Sequence, residues 1–246
     1  MSAGDPIDAV LFDLDDTLYP QASWLDGAWT AVARSAGAAV DPHEFEAALR
    51  TIATEGSDRG RIIDRALVAV GAPDTEIEPL VRAFRSHRPT RLEPYPGVDE
   101  ALTRLGAHAQ LGIVSDGDPT IQRAKLEAIG LGAHFAVIVL SDEEGREHRK
   151  PSPRPFRRAL DELDVAPEAA VYVGDRPEKD VAGAAAAGLR AIRVLTGEWT
   201  DQPDDPPAWA SVPTAVDAID LILEALGQGA SAPTSSRKSN RPGASR

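Results

Sequence analysis

Five short apolar runs punctuate the chain: AVLFDLD at 9–15, LGIVSD at 111–116, AVIVLSD at 136–142, AVYVGD at 170–175 and AIRVLTG at 191–197. Brief, rich in Val, Ile and Leu and bounded by turn residues, they read as buried strands. Between the later ones, Thr120–Ile129, Pro153–Leu163 and Glu178–Ala187 carry helical patterns, with Gly130 and Gly188 as C-terminal stops. Strands alternating with helices predict an α/β fold, a Rossmann-like parallel sheet joined by right-handed crossovers. Ligands of such sheets bind beyond the carboxyl ends of the strands, and the first four runs each end in an Asp.

The alternation breaks after the first run. Residues 20–92 hold no convincing strand but several helical stretches, at 24–29, 45–50, 61–67 and 81–84, and Pro89 with EPYPG at 93–97 marks their end. The expected organisation is an α/β core of residues 1–19 and 93–228, with a small α-helical cap domain, 20–92, inserted above the carboxyl edge of the sheet. Beyond Ala225 the chain turns rich in Ser, Gly, Pro and Arg, and 229–246 is expected to be a disordered tail.

Composition narrows the picture. A chain of 246 residues can bury a sizeable core. Its net charge of −13 argues against nucleic acid or an anionic membrane as partner, yet leaves room for a small anion in a locally positive pocket. Without Cys, neither a disulfide framework nor a thiolate metal site is possible. With no secretory pattern and no long apolar stretch, a soluble cytoplasmic protein is expected. Lys occurs only at 125, 150, 179 and 238, so each Lys in this Arg-rich chain stands out as a candidate for a specific role.

Chemistry concentrates at the predicted strand ends: DLDDT at 13–17, SDG at 115–117, RKPSP at 149–153 and GDRPEKD at 174–180. Read as the end of a strand, Asp13 and Asp15 share one face and Asp16 the other. Carboxylates crowded in this way repel one another unless a cation or a charged ligand repays them. The four motifs, in this order and with a cap-length gap after the first, resemble the haloacid dehalogenase superfamily, specifically its phosphatases with a helical cap after the first motif.

The resemblance implies roles for individual residues. Asp13 becomes the nucleophile, and Asp15 the general acid for the leaving alcohol and then the base for water; dehalogenating members lack the second Asp. Mg2+ is the implied cofactor, held by Asp13, Asp175 and the main-chain carbonyl of Asp15, and a hard ion suits an all-oxygen site. Thr17, Ser115, Asp116 and Lys150 are the candidates for holding the phosphate, with Lys150 as a compact charge beside Asp13, and Asp180 supports the metal or Lys150. Asp116 has a second reading as loop support. Asp16 is expected to shape the turn, Asp118 to cap the helix after it, and Arg176 and Lys179 to balance local charge. In the cap, Arg59 and Arg61 are candidates for binding a second anionic group, Tyr19, Trp24 and Trp29 for the pocket mouth, with packing expected for the two tryptophans, and His43 and His87 for the surface.

The expected function is a Mg-dependent phosphatase that hydrolyses a small phosphate monoester, a phosphosugar, nucleotide or other phosphorylated metabolite, through an aspartyl phosphate. A phosphosugar mutase with the same motifs, or a non-catalytic binding protein on this fold, are the alternatives. The alcohol half of the substrate and the choice between monomer and homodimer stay open.

Overall fold

The computed structural model describes residues 6–38, 40–56 and 60–229; Arg59 and the expected tail from residue 230 onward lie outside them. Among the described residues six parallel strands form one sheet: β1 (Ala9–Phe12), β2 (Gln110–Ser115), β3 (Val137–Leu140), β4 (Ala170–Gly174), β5 (Arg190–Val194) and β6 (Ala210–Val212). The order is β3-β2-β1-β4-β5-β6. The chain winds outward from β1 to β3 and then returns to the other side of β1 for β4. The carboxyl ends of β1 and β4 therefore flank the point where the winding reverses, which is where open sheets of this kind leave a crevice.

One face of the sheet packs on α5 (Val98–Gly106), α6 (Pro119–Ile129) and α9 (Ala215–Gly229), through Val10, Phe12, Ile113, Val173 and Ile192. The other packs on α7 (Arg154–Leu163) and α8 (Ala182–Ala187), through Leu11, Val114 and Tyr172. Both faces are covered, so the strands read as continuous apolar runs. Gly130 and Gly188 end α6 and α8 with φ of +78° and +94°, the left-handed conformation expected at a helix stop.

Four helices separate β1 from the rest: α1 (Gln21–Arg34), α2 (Pro42–Ala53), α3 (Ile62–Ala69) and α4 (Ile77–Ser86). They bury Trp29, Val32, Phe45, Leu49, Leu67 and Leu80 in a core of their own. Among the described residues no helix is long and apolar enough to cross a membrane.

Three local differences from the sequence reading matter. β1 stops at Phe12, so Asp13, Asp15 and Asp16 stand in the loop beyond it, and strand alternation does not set their directions. Asp16 turns the chain there with φ of +55°, and its carboxylate accepts the Gln21 N–H at 2.9 Å, fixing the start of α1. The predicted helix over 178–187 opens instead with a wide turn, Pro177–Val181, in which the Val181 N–H donates to the Arg176 carbonyl at 3.3 Å while the Asp180 carboxylate accepts the Arg176 N–H at 3.0 Å.

Candidate active site

Asp13 is locked to the sheet edge by its N–H, which donates to the Val173 carbonyl at 2.9 Å. Since β1 and β4 pair in register, Phe12 with Val173, the residues that follow them, Asp13 and Asp175, come together at the crevice. Asp180 joins them from the wide turn. One carboxylate oxygen from each of Asp13, Asp175 and Asp180 lies within 4.8 Å of the others, and all three residues are buried. A glycine precedes Asp175 for a steric reason: a Cβ on Gly174 would lie 2.5 Å from the Asp180 carboxyl carbon.

Lys150 enters this cluster from the connection between β3 and α7. Its Nζ donates to Asp13 Oδ1 at 2.6 Å, Asp180 Oδ1 at 2.7 Å and the Tyr172 hydroxyl at 3.0 Å, so three acceptors take its three protons. The Tyr172 hydroxyl in turn donates to the Val114 carbonyl at 3.0 Å. Burial works against the ammonium charge, but Asp13 and Asp180 outweigh it and hold Lys150 well above its ordinary range.

Burial also acts on the acids. It pushes the Asp13 carboxyl up to about 7, reinforced by Asp180 and resisted by Lys150. Asp175 is pushed well above the usual carboxylate range by burial and then by Asp180, Asp13 and Asp16. Asp175 Oδ1 is buried without a hydrogen-bond partner. Buried carboxylates held against one another with an oxygen left unsatisfied form a donor set that a hard cation would complete.

Asp15 does not share that cluster. Its carboxylate accepts from Lys125 Nζ at 2.7 and 2.9 Å, from Gln122 Nε2 at 2.9 Å and from the Tyr19 hydroxyl at 2.5 Å. Burial raises its proton affinity, but the charge and hydrogen bond of Lys125, with the hydrogen bonds of Tyr19 and Gln122, win and hold it below the ordinary value. Ser115 Oγ accepts from the same Gln122 amide at 2.8 Å. Asp116 Oδ1 accepts from Ser141 Oγ at 2.7 Å and the Lys150 N–H at 3.1 Å, which ties the loop after β2 to two points of the connection between β3 and α7.

A small cavity of about 130 Å³ collects Asp13, Asp15, Ser115, Asp116, Lys150 and Asp175, with Arg176, Lys179 and Trp199 also in its wall. Thr17 is fully buried and not part of that wall, and its hydroxyl has no hydrogen-bond partner. A larger cleft of about 590 Å³ shares Asp15, Asp116 and Gly117 with it and extends between α6 and helices α1 and α4, past Trp24, Trp29, Phe84 and Lys125 to Arg85 and Arg146. The small cavity is polar and tight; the cleft is roomier and aromatic.

Of the cap residues singled out from sequence, Arg61 has a side chain 82% exposed, pairs with Asp64 at 3.4 Å and lines neither cavity. Trp24 and Trp29 are buried around Phe84, at ring distances of 5.1 and 4.9 Å, while contributing to the cleft wall. Tyr19 is buried against Asp15. His43 is exposed as expected, but His87 is half-buried, its ring 5.7 Å from that of Trp24. No motif in the sequence points to Lys125, Gln122 or Tyr172. The scarcity of Lys is the one signal that leads toward Lys125.

The haloacid dehalogenase-like hydrolase family model matches residues 7–188. The chain belongs to this family. Across 232 residues it is 38% identical to a glyceraldehyde 3-phosphate phosphatase of Methanopyrus kandleri, covering 89% of this chain and 98% of that one. Over 158 residues it is 40% identical to a phosphoserine phosphatase of Thermus thermophilus, covering 62% and 59% of the two chains. Among solved structures, a 2-haloacid dehalogenase from Pseudomonas syringae pv. Tomato superposes with a TM-score of 0.58 at 26% identity, covering 89% of this chain and 99% of that one. By family and relatives the protein is an enzyme that stands with the phosphoric monoester hydrolases.

Proposed function

We propose that the protein is a Mg2+-dependent phosphatase of small phosphorylated metabolites that works through an aspartyl phosphate on Asp13. The observation that carries this reading is the pairing of a buried Asp13–Lys150–Asp180 cluster with a second carboxylate, Asp15, at the boundary of the reaction cavity and the cleft. Asp13 and Asp175 would hold the ion, with Asp180 beside them and the Asp15 main-chain carbonyl as a further oxygen ligand. Bound there, the ion would neutralise phosphate charge and the mutual repulsion of the acids.

The chain's own residues divide the remaining work. Asp13 attacks phosphorus as its bond to the alcohol oxygen breaks, and that oxygen takes a proton from Asp15 in its protonated form, which Lys125 and the other donors to the carboxylate make a strong acid. Asp15 then takes a proton from water, which attacks the phosphorus of the aspartyl phosphate and frees Asp13. Lys150 holds Asp13 in one orientation and, with the Ser115 hydroxyl, supports charge on the phosphoryl oxygens, whereas Thr17, buried outside the cavity wall, does not reach them.

Helices α1–α4 act in this reading as a cap, with their cleft receiving the alcohol half of the substrate. The relatives named for glyceraldehyde 3-phosphate and phosphoserine favour a monoester of about that size. A panel of glyceraldehyde 3-phosphate, phosphoserine, hexose phosphates, nucleoside monophosphates and p-nitrophenyl phosphate, assayed with Mg2+ and with EDTA, tests the proposal. Phosphate release that requires Mg2+ is expected, strongest for the small alkyl esters. An isomerised sugar phosphate without free phosphate would replace the phosphatase reading with a mutase.

A further inference from the structure

Lys125 is buried on α6, 3% exposed, in a chain whose other cations are nearly all Arg. Burying an ammonium is costly, and a buried ion pair seldom adds net stability over an apolar pair of the same size. Its surroundings suggest another use. Nζ lies 2.7 and 2.9 Å from the two Asp15 carboxylate oxygens and 4.7 Å from the centre of the Trp24 ring on α1. Gln122, one turn earlier on the same helix, holds Asp15 Oδ2 and Ser115 Oγ together. Lys125 lines the cleft and not the reaction cavity, whereas Asp15 lines both.

We infer that Lys125 is a positioning residue for Asp15: it fixes the acid/base carboxylate at the junction of the two cavities and, through Trp24, ties that setting to the first cap helix. The inference rests on the phosphatase reading. Asp15 loses a proton to the departing alcohol oxygen in the first step and gains one from water in the second. Lys125 keeps its own protons throughout. Its ammonium faces the carboxylate that the first transfer leaves behind, and a side chain without that charge would leave Asp15 held toward the scissile oxygen by Gln122 and Tyr19 alone. Trp24 closes the remaining side of the ammonium with its ring face, an arrangement that attracts a cation and excludes water.

The test compares two leaving groups. The phenolate of p-nitrophenyl phosphate departs without a proton, whereas the alcohol of the best alkyl ester in the panel needs one. For both, kcat/KM reports events up to loss of the leaving group, so a slower second step does not obscure the comparison. Lys125→Met is expected to lower kcat/KM for the alkyl ester at least about tenfold more than for the aryl ester, as expected when acid catalysis worth about 10²–10⁴-fold is impaired. Lys125→Arg, which keeps the charge, is expected to recover part of that selective loss.

Equal losses on the two esters in a variant with wild-type circular dichroism would overturn the inference and leave the phosphatase reading standing. If Lys125→Met does not fold, Lys125→Arg carries the same comparison: a loss confined to the alkyl ester supports the role, and an equal loss removes it. No phosphate release by the wild type from either ester would overturn the proposed function and this inference with it.

Discussion

Replacing Asp13 with Asn is expected to abolish phosphate release, lowering kcat by at least about 10⁴-fold, the scale on which loss of a covalent nucleophile is felt. The amide has nearly the same shape and leaves the Val173 anchor to the Asp13 N–H untouched. What it removes is the oxygen proposed to attack phosphorus and the charge that Lys150 faces at 2.6 Å. The acid cluster loses one of three repelling carboxylates, so the substitution is expected to leave the melting temperature unchanged or raise it. Activity and stability should thus separate. Phosphate assay and thermal melting on the same sample check both, and an inactive variant that melts many degrees lower would point to a folding defect.

Lys150→Met is expected to damage both properties together. Removing the ammonium leaves Asp13 and Asp180 buried and facing one another, and takes a donor from the Tyr172 hydroxyl. Breaking a buried pair from one side costs about 3–5 kcal/mol, since the remaining charge has no compensation. Asp13 would escape part of that cost by holding a proton, which would disarm it as the proposed nucleophile. A loss of about 10²–10³-fold in kcat is expected from the missing electrostatic support. Urea unfolding and steady-state kinetics measure the two effects. Full activity in this variant would remove Lys150 from the reaction, whatever its effect on stability.

The sheet is legible in the sequence because parallel strands covered on both faces leave nearly unbroken apolar runs, and five of the six strands are of that kind. β6 escapes such a reading because it is short, at the sheet edge and half-exposed, so AlaSerVal carries no periodicity to find. Helices α5 and α9 lie outside the expected helical stretches although each has a buried apolar stripe, Val98, Ala101, Leu102 and Leu105 in the first, and Ala215, Ala218, Ile219 and Ile222 in the second. Neither stripe adjoins a strand end that carries a motif, so the chemistry of the chain does not draw the eye to them.

The same contrast runs through the site. Asp13, Asp175, Asp180 and Lys150 lie within local motifs, and β1–β4 pairing is enough to bring the first two together. The partners of Asp15 are a different matter, because Lys125 and Gln122 are more than a hundred residues away and meet it only through the packing of α6. No spacing rule announces that contact. The cap residues show the reverse error, since an Arg beside glycines suggests an anion site while Arg61 is almost fully in solvent. Instead the cleft draws its cations from Arg85, Lys125, Arg146 and Arg149.

The most direct test of the two-carboxylate account is a pre-steady-state measurement on Asp15→Asn with p-nitrophenyl phosphate and Mg2+. The aryl leaving group needs no acid, so Asp13 should still be phosphorylated, while the absence of a base slows attack by water. The account predicts a burst approaching one nitrophenolate per protein, followed by slow turnover, with the phosphoryl group found on Asp13 by mass spectrometry after acid quenching. Wild-type steady turnover without a burst, or a phosphoryl group on any other residue, would contradict it.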